Sequence, residues 1–238
     1  MSWHQGPMVA FDTETTGTDP TQARLVTACV AHLGAGRDTV VRTWLANPGV
    51  PIPPEATAVH GITDEQARTE GADPAEVATE IAAELVAAWQ AGLPVVAMNA
   101  SYDLTVVEHE LRRHGLDGLD QRRGDAPMLI IDPLVIDRAL DRYRPGKKRL
   151  SDLCEVYAVD LTDAHTADAD AIAAARVAWR LAQRYPEELQ RDLVELQDVQ
   201  SAWHVAWAEH FEPWLRENAD PEARIDRAWP LRAPAAAR

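Results

Sequence analysis

Apolar residues recur along this chain in two rhythms. The run "MVAF" (Met8–Phe11) is short and continuous, and it ends in the turn-forming "DTETTG", which predicts a strand buried on both faces. Arg24–Leu33 and Asp38–Ala46 are rich in strand formers and are joined by "GAGR", which predicts a hairpin. That G-x-G lacks the third glycine and the following helix of a dinucleotide fingerprint, so it reads as turn punctuation. The Pro-rich "NPGVPIPPEA" reads as a loop, with a short helix starting after Thr63. Helical periodicity then covers Ala75–Ala91, followed by a buried strand at Leu93–Met98 and a helix over Ser101–His114. A strand at Met128–Ile131 precedes helices near Pro133–Leu140 and Leu150–Tyr157 and an alanine-rich helix over Ala167–Tyr185. A hairpin followed by alternating strands and helices predicts a mixed α/β sheet covered by helices. Pro186 opens a segment of different texture, ending in an Ala/Pro stretch predicted to fray.

Composition narrows the classes. With 238 residues, 46% of them hydrophobic, the chain can bury one large core or a core plus an appendage; the change of texture divides it into 1–185 and a helical extension over 186–238. No apolar run approaches the roughly 18 residues of a membrane helix, and "MSWHQGP" lacks the plan of a secretory signal, so the expected location is cytoplasmic, with no membrane partner. Neither Cys29 nor Cys154 belongs to a C-x-x-C pair, which predicts reduced packing residues. The 23 basic and 38 acidic residues leave a net charge of −15, which repels polyanions over most of the surface. A nucleic-acid partner therefore requires a local exception. Arg138–Arg149 offers one, with six Lys and Arg residues against Asp141 alone; the alternative is a solvated helix end and loop.

Several carboxylates stand at element ends. Asp12 and Glu14 are two apart on a strand and so share a face. Like charges this close either face solvent as part of a turn or hold a hard cation between them. Asp103 begins a helix just past a buried strand, where it can cap the helix or face a site. Asp170 lies inside the alanine-rich helix, five residues after His165. Asp168 is roughly 200° away around the helix and cannot share the face of Asp170. A histidine in this position, just ahead of a helix, is either a surface or capping residue or part of the chemistry.

Together "FDTETTG", "VHGIT", "NASYD" and H-x4-D, in this order and at these separations, resemble the DnaQ-like (DEDDh) 3′→5′ exonucleases, the family of the proofreading epsilon subunit of bacterial DNA polymerase III. The likeness runs from about Met8 to Tyr185. It implies an RNase H-like fold with a five-stranded mixed sheet and helices on both faces. It also implies Asp12, Glu14, Asp103 and Asp170 as ligands of two Mg²⁺ or Mn²⁺ ions, and His165 as general base. The chemistry agrees: two cations about 3.5–4 Å apart can activate water, shield the phosphate and steady the departing 3′ oxygen. A neutral imidazole can take the water's proton near physiological pH. By the same resemblance Thr13 and Thr15 contact the terminal sugar and its 3′ hydroxyl, and His60 the terminal nucleotide. Asn99 and Tyr102 stand beside Asp103, with Tyr102 either stacking on a base or buried. Arg144, Lys147, Lys148 and Arg149 become the expected phosphate contacts. Where the family often has histidine before the Asn-Ala of its second motif, this chain has Met98, implying altered support around the site.

The implied substrate is the 3′ end of DNA, single-stranded or frayed. RNA trimming of the RNase T or oligoribonuclease type is the alternative within the chemistry, and a non-catalytic nucleic-acid-binding or polymerase-scaffolding module the alternative outside it. In the extension, Trp203, Trp207, Phe211 and Trp214 form a helical stripe. It either packs on the core or offers a face for a polymerase subunit or for self-association.

Overall fold

The computed structural model describes residues 2–34, 36, 38–161 and 166–232. Its centre is a five-stranded sheet in the order β3-β2-β1-β4-β5. Strands β1 (Met8–Thr15), β2 (Leu25–Leu33) and β3 (Val40–Leu45) form an antiparallel meander, while β4 (Val95–Val96) and β5 (Ile130–Ile131) add in parallel. The sheet is therefore mixed, with β1 in the middle. Gly34 and Gly36 take φ of 94° and 68° between β2 and β3, a backbone that glycine adopts without the Cβ clash other residues incur.

Strand alternation sorts the core into two layers. Val9 and Phe11 of β1 pack with α3 (Pro74–Gln90) and α4 (Ala100–Arg113) on one face. Met8 and Ala10 pack on the other with α7 (Leu150–Val156) and α8 (Ala167–Arg184). Helix α8 packs against β1, and the layer between them holds Ala171, Ala173, Ala175 and Ala178, short side chains that let the helix lie close to the sheet. Phe11 and Leu85 are fully enclosed, each worth roughly 1.5–3 kcal/mol of burial.

Four elements differ from the sequence expectations. Within the Pro-rich stretch, α1 (Pro54–His60) forms, with Pro54 at its first turn and Gly61 at φ 77° just past its end. This is the usual placement of the two residues, since proline lacks only an N–H that would go unpaired there, and glycine accepts the left-handed turn. A short α5 (Leu119–Arg123) follows α4. β4 and β5 are only two residues long, although Val95 N still reaches Leu129 O (2.9 Å) and Ala97 N reaches Ile131 O (3.2 Å). Thr63 caps α2 (Asp64–Glu70) by accepting from Gln66 N at 3.1 Å.

Beyond α6 (Pro133–Leu140) and the short α9 (Pro186–Leu189), the segment after Tyr185 folds mainly into α10 (Leu193–Asn218), which lies against the core. Leu196 and Gln200 are fully buried. Gln200 covers the open edge of β5, accepting from Asp132 N (2.8 Å) and donating to Ile130 O (2.8 Å), while Gln197 accepts from Ile130 N (2.9 Å). An edge strand whose polar groups are covered in this way cannot pair with another chain. Of the aromatic stripe, Trp203 packs against both core layers. Trp207, Phe211 and Trp214 stack successively at 5.5 and 5.3 Å, and the Arg138 guanidinium lies 3.8 Å over Trp207. Among the described residues, no helix is long and apolar enough to cross a membrane. Cys29 and Cys154 are both buried and unbridged.

Candidate active site

The even-numbered positions of β1 that supply Met8 and Ala10 to the α8 layer continue as Asp12 and Glu14. As the strand emerges from the sheet its burial falls, so two core positions become half-buried carboxylates. The β1–β2 register shifts between Glu14 and Thr15, marking the end of regular pairing. Asp170, on the first turn of α8, faces the same pair. One carboxylate oxygen from each of Asp12, Glu14 and Asp170 lies within 4.8 Å of the others. Asp168, two residues earlier in α8, is exposed and borders the neighbouring hollow instead.

Asp103 is not among these three mutually close oxygens, yet its charge is the largest of those acting on Asp12. It lies in the first turn of α4, bonded to Thr13. Its Oδ1 accepts from Thr13 N at 3.1 Å and from Thr13 Oγ1 at 2.6 Å. Asp103 thus binds Thr13, which lies between Asp12 and Glu14 on the strand. Asp103 still acts on the cluster electrostatically. Burial, then the charges of Asp103, Glu14 and Asp170, hold the Asp12 carboxyl well above its usual range. Burial and the Asp170 charge push Glu14 up to about 7. Burial also pushes Asp103 up to about 7, against the opposing pull of the Thr13 hydrogen bonds. Carboxylates that resist ionisation for lack of a counter-charge are a donor set suited to a hard divalent cation.

A cleft of ≈ 680 Å³ opens beside Glu14, bordered by Thr13, Thr15, His60, Asn99, Tyr102 and Arg232, among others. Tyr102 is fixed in its wall: its hydroxyl donates to Gly17 O and lies 2.5 Å from Thr15 Oγ1. His60 ends α1 and is buried; its Nδ1 accepts from Ile62 N at 3.1 Å. Burial lowers its pKa, an effect partly offset by the nearby Thr15 backbone, so the ring is neutral at physiological pH. Asn99 takes a left-handed backbone (φ 65°) at the head of α4, with its N–H held by Asp132 Oδ1 at 3.0 Å. Met98 packs into the α8 layer.

The basic segment is placed otherwise than expected. Arg144 and Lys148 both bind the fully buried Asp137, at 2.8 and 2.6 Å, and Tyr157 donates to the same carboxylate at 2.7 Å. Neither these two nor Lys147 and Arg149 border the cleft. Two of the four cations neutralise an interior acid. His165 lies outside the described residues.

Residues 9–178 match the family model of the exonucleases (RNase_T). The chain belongs to the exonuclease family. Its members are nucleases, and this family's chemistry is hydrolysis of phosphodiester bonds. Among similar proteins, the DNA polymerase III subunit epsilon-like protein of Rhodobacter capsulatus is 33% identical over 73% of this chain and 23% of its own length. The DNA polymerase III subunit epsilon of Pasteurella multocida is 28% identical over 64% of this chain and 58% of its own. Exonuclease I of E. coli, solved with single-stranded DNA, shares the fold, with a TM-score of 0.66 at 22% identity over 77% of this chain and 42% of that one. The chain thus spans less than two thirds of the length of each of these relatives. The fold is the RNase H-like mixed sheet that the motifs imply.

Proposed function

We propose that this exonuclease-family chain removes nucleotides one at a time from the 3′ end of DNA, using two Mg²⁺ or Mn²⁺ ions held at Asp12, Glu14 and Asp170 with support from Asp103. The observation that carries the reading is the convergence of three carboxylates within 4.8 Å at the rim of a cleft large enough for a nucleotide. Exonuclease I, which shares the fold, has been solved with a dT13 oligonucleotide, which supports a single-stranded DNA end as substrate.

Bound divalent ions supply Lewis-acid activation of water and shielding of the charge that grows on the phosphate. The protein's own residues do the rest. Thr13 and Thr15 flank Glu14 on the cleft wall, their hydroxyls bonded to Asp103 and Gly17 O, and shape the space for the terminal sugar. Asn99 and Tyr102 form the facing wall, and the fixed Tyr102 ring limits where a terminal base can sit. His60 presents a neutral ring to the same space. His165, five residues before Asp170, is assigned by its motif to accept the proton of the attacking water.

The test uses 5′-labelled single-stranded DNA, frayed duplex DNA and RNA, with added Mg²⁺ or Mn²⁺ and with chelator. A ladder shortening stepwise from the 3′ end, lost in chelator and lost in Asp12→Asn, is expected, with DNA the better substrate. Absence of a ladder in either metal, cleavage starting internally, or an active Asp12→Asn protein would overturn the reading.

A further inference from the structure

A strongly acidic protein must admit a polyanion to a site built from carboxylates, and the basic segment expected to help does not reach it. Among the described residues bordering the cleft, Arg232 is the only lysine or arginine, against the acids Glu14 and Glu55. It arrives from the far end of the chain. After α10 the backbone turns back along that helix, with Ile225 N donating to Glu212 Oε2 at 2.8 Å and His204 Nε2 2.9 Å from Asp226 O. The strap then plugs Trp229 into the α3–α4 layer, where that residue is 8% exposed, and lays Leu231 against the same layer. Next along, Arg232 N donates at 3.1 Å to Thr105 Oγ1, a buried hydroxyl on the helix that carries Tyr102 and Asp103. Its position is therefore set by two apolar anchors and a backbone bond, and the guanidinium is left to the cleft.

Several observations place that guanidinium at the mouth of the site. The residue is half-buried, and among the described residues it makes no ion pair. It is close enough to Tyr102 and to Asp19 of the loop after β1 to act on both electrostatically. It also borders a second cavity of ≈ 290 Å³, which shares Asn99 with the first and is lined by Arg138 and Arg224 as well as by Asp132 and Asp226. A planar, permanently charged fork that, among the described residues, is bonded to no carboxylate, at the junction of two cavities beside Glu14 and Glu55, matches the geometry of a phosphodiester.

We propose that Arg232, carried back to the cleft by the C-terminal strap, binds a backbone phosphate of the strand whose 3′ end lies at Asp12, Glu14 and Asp170. This rests on the nuclease reading of that site, and it makes residues 219–232 part of the substrate-binding surface. Arg232 touches the substrate away from the reacting bond, so it governs affinity more than the chemical step.

The test compares wild type with Arg232→Gln and Arg232→Lys in two measurements. In steady-state degradation of a single-stranded oligonucleotide, Arg232→Gln is expected to raise KM about tenfold with kcat changed less than about twofold, and Arg232→Lys to recover most of the loss. In fluorescence-anisotropy binding of the same strand, carried out in an Asp12→Asn background so that no turnover intervenes, Arg232→Gln should lower the slope of log K against log salt by about one. Melting temperature should be unchanged, since the strap is anchored by its backbone and by Trp229. Equal KM and equal salt slope for wild type and Arg232→Gln would overturn the proposal, as would a weakened variant that the lysine does not rescue. A wild-type protein that releases no nucleotide refutes the nuclease reading instead, while the salt slope still decides whether Arg232 meets phosphate.

Discussion

With divalent ions removed by a chelator, this protein is expected to gain stability as the pH falls from about 8 to about 5, the reverse of a protein whose carboxylates are held in ion pairs. Glu14 titrates at about 7 against an ordinary 4.5, and Asp103 at about 7 against an ordinary 3.8. Both values are raised, so the folded state binds protons more tightly than the unfolded chain. The stabilisation is complete below the unfolded values near pH 4 and is lost as the pH rises through 7. Each pKa unit is worth about 1.36 kcal/mol, which gives Glu14 about 3 kcal/mol before solvent screening and about 1–2 kcal/mol after it, because the residue is half-exposed. The enclosed Asp103 contributes on the order of 4 kcal/mol alone, but protonating one acid relieves its neighbours, so the contributions do not add. A net effect on the order of 3 kcal/mol in a chain of this size corresponds to about 6–12 °C in Tm. Three histidines, His4, His60 and His109, oppose it: burial lowers their pKa values, and they lose stability as acid protonates them. The clean readout is therefore the difference between Glu14→Gln and wild type, melted by circular dichroism in chelator across this range. The variant should be more stable at pH 8 and the gap should close by pH 5. At pH 8, Mg²⁺ or Mn²⁺ at about 100 times its Kd should stabilise wild type by about 2.7 kcal/mol and narrow or reverse the gap. A Glu14→Gln protein no more stable than wild type at pH 8 in chelator, or a gap independent of pH, would refute the reasoning.

Three further outcomes are expected. Asp137→Ala strips the shared partner from Arg144, Lys148 and Tyr157 and should cost about 3–5 kcal/mol in urea denaturation, whereas Lys147→Ala should leave both stability and KM near wild type. Gln200→Ala leaves Asp132 N and Ile130 O unpaired inside the protein and should destabilise by about 2–4 kcal/mol; a loss under 0.5 kcal/mol would mean that water replaces the amide. Tyr102→Phe removes the hydroxyl that ties α4 to the loop after β1, for about 1 kcal/mol of stability, and should raise KM several-fold while leaving metal-induced stabilisation intact.

What the sequence revealed, and what it hid, follows the range of the forces involved. Asp12 and Glu14 share a face because a strand's period of two is rigid, and Asp170 rather than Asp168 faces them because a helix turns 100° per residue; both conclusions need only local geometry. Asp103 reaches the same strand through Thr13, a bond between residues 90 apart that local periodicity cannot show. Helix α1 was concealed by its prolines, although Pro54 at the start and Gly61 after the end are ordinary helix boundaries. The run Arg138–Arg149 looked like a phosphate surface because charge patterning does not show a counter-ion. The clue was Asp137, sitting in the apolar helix "PLVIDRAL", where an unpaired carboxylate would be very costly. Arg232 carried no local signal at all. Its neighbour in space, Thr105, is 127 residues away, and only the return of the strap along α10 brings them together.

The segment after Tyr185 supports the catalytic end of the sheet as well as covering its edge. Gln200 holds the backbone of Ile130 and Asp132, so the β5–α6 junction is fixed by α10. The Asp132 carboxylate in turn accepts from Leu134 N, capping α6, and from Asn99 N and Ala100 N at 3.0 Å each. Those two amides open α4, and within its first turn stand Tyr102, which lines the cleft, and Asp103, which acts on Asp12. A buried carboxylate that holds two helix starts at once tolerates little displacement, because every one of its bonds lies in a medium where an orphaned group costs about 1–3 kcal/mol. The positions of Asn99, Tyr102 and Asp103 thus depend on an acid that is itself positioned by the C-terminal helix, while the strap beyond that helix delivers Arg232 to the same cleft. Residues 186–232 therefore pack on the core and hold the elements that carry Asn99, Tyr102 and Asp103.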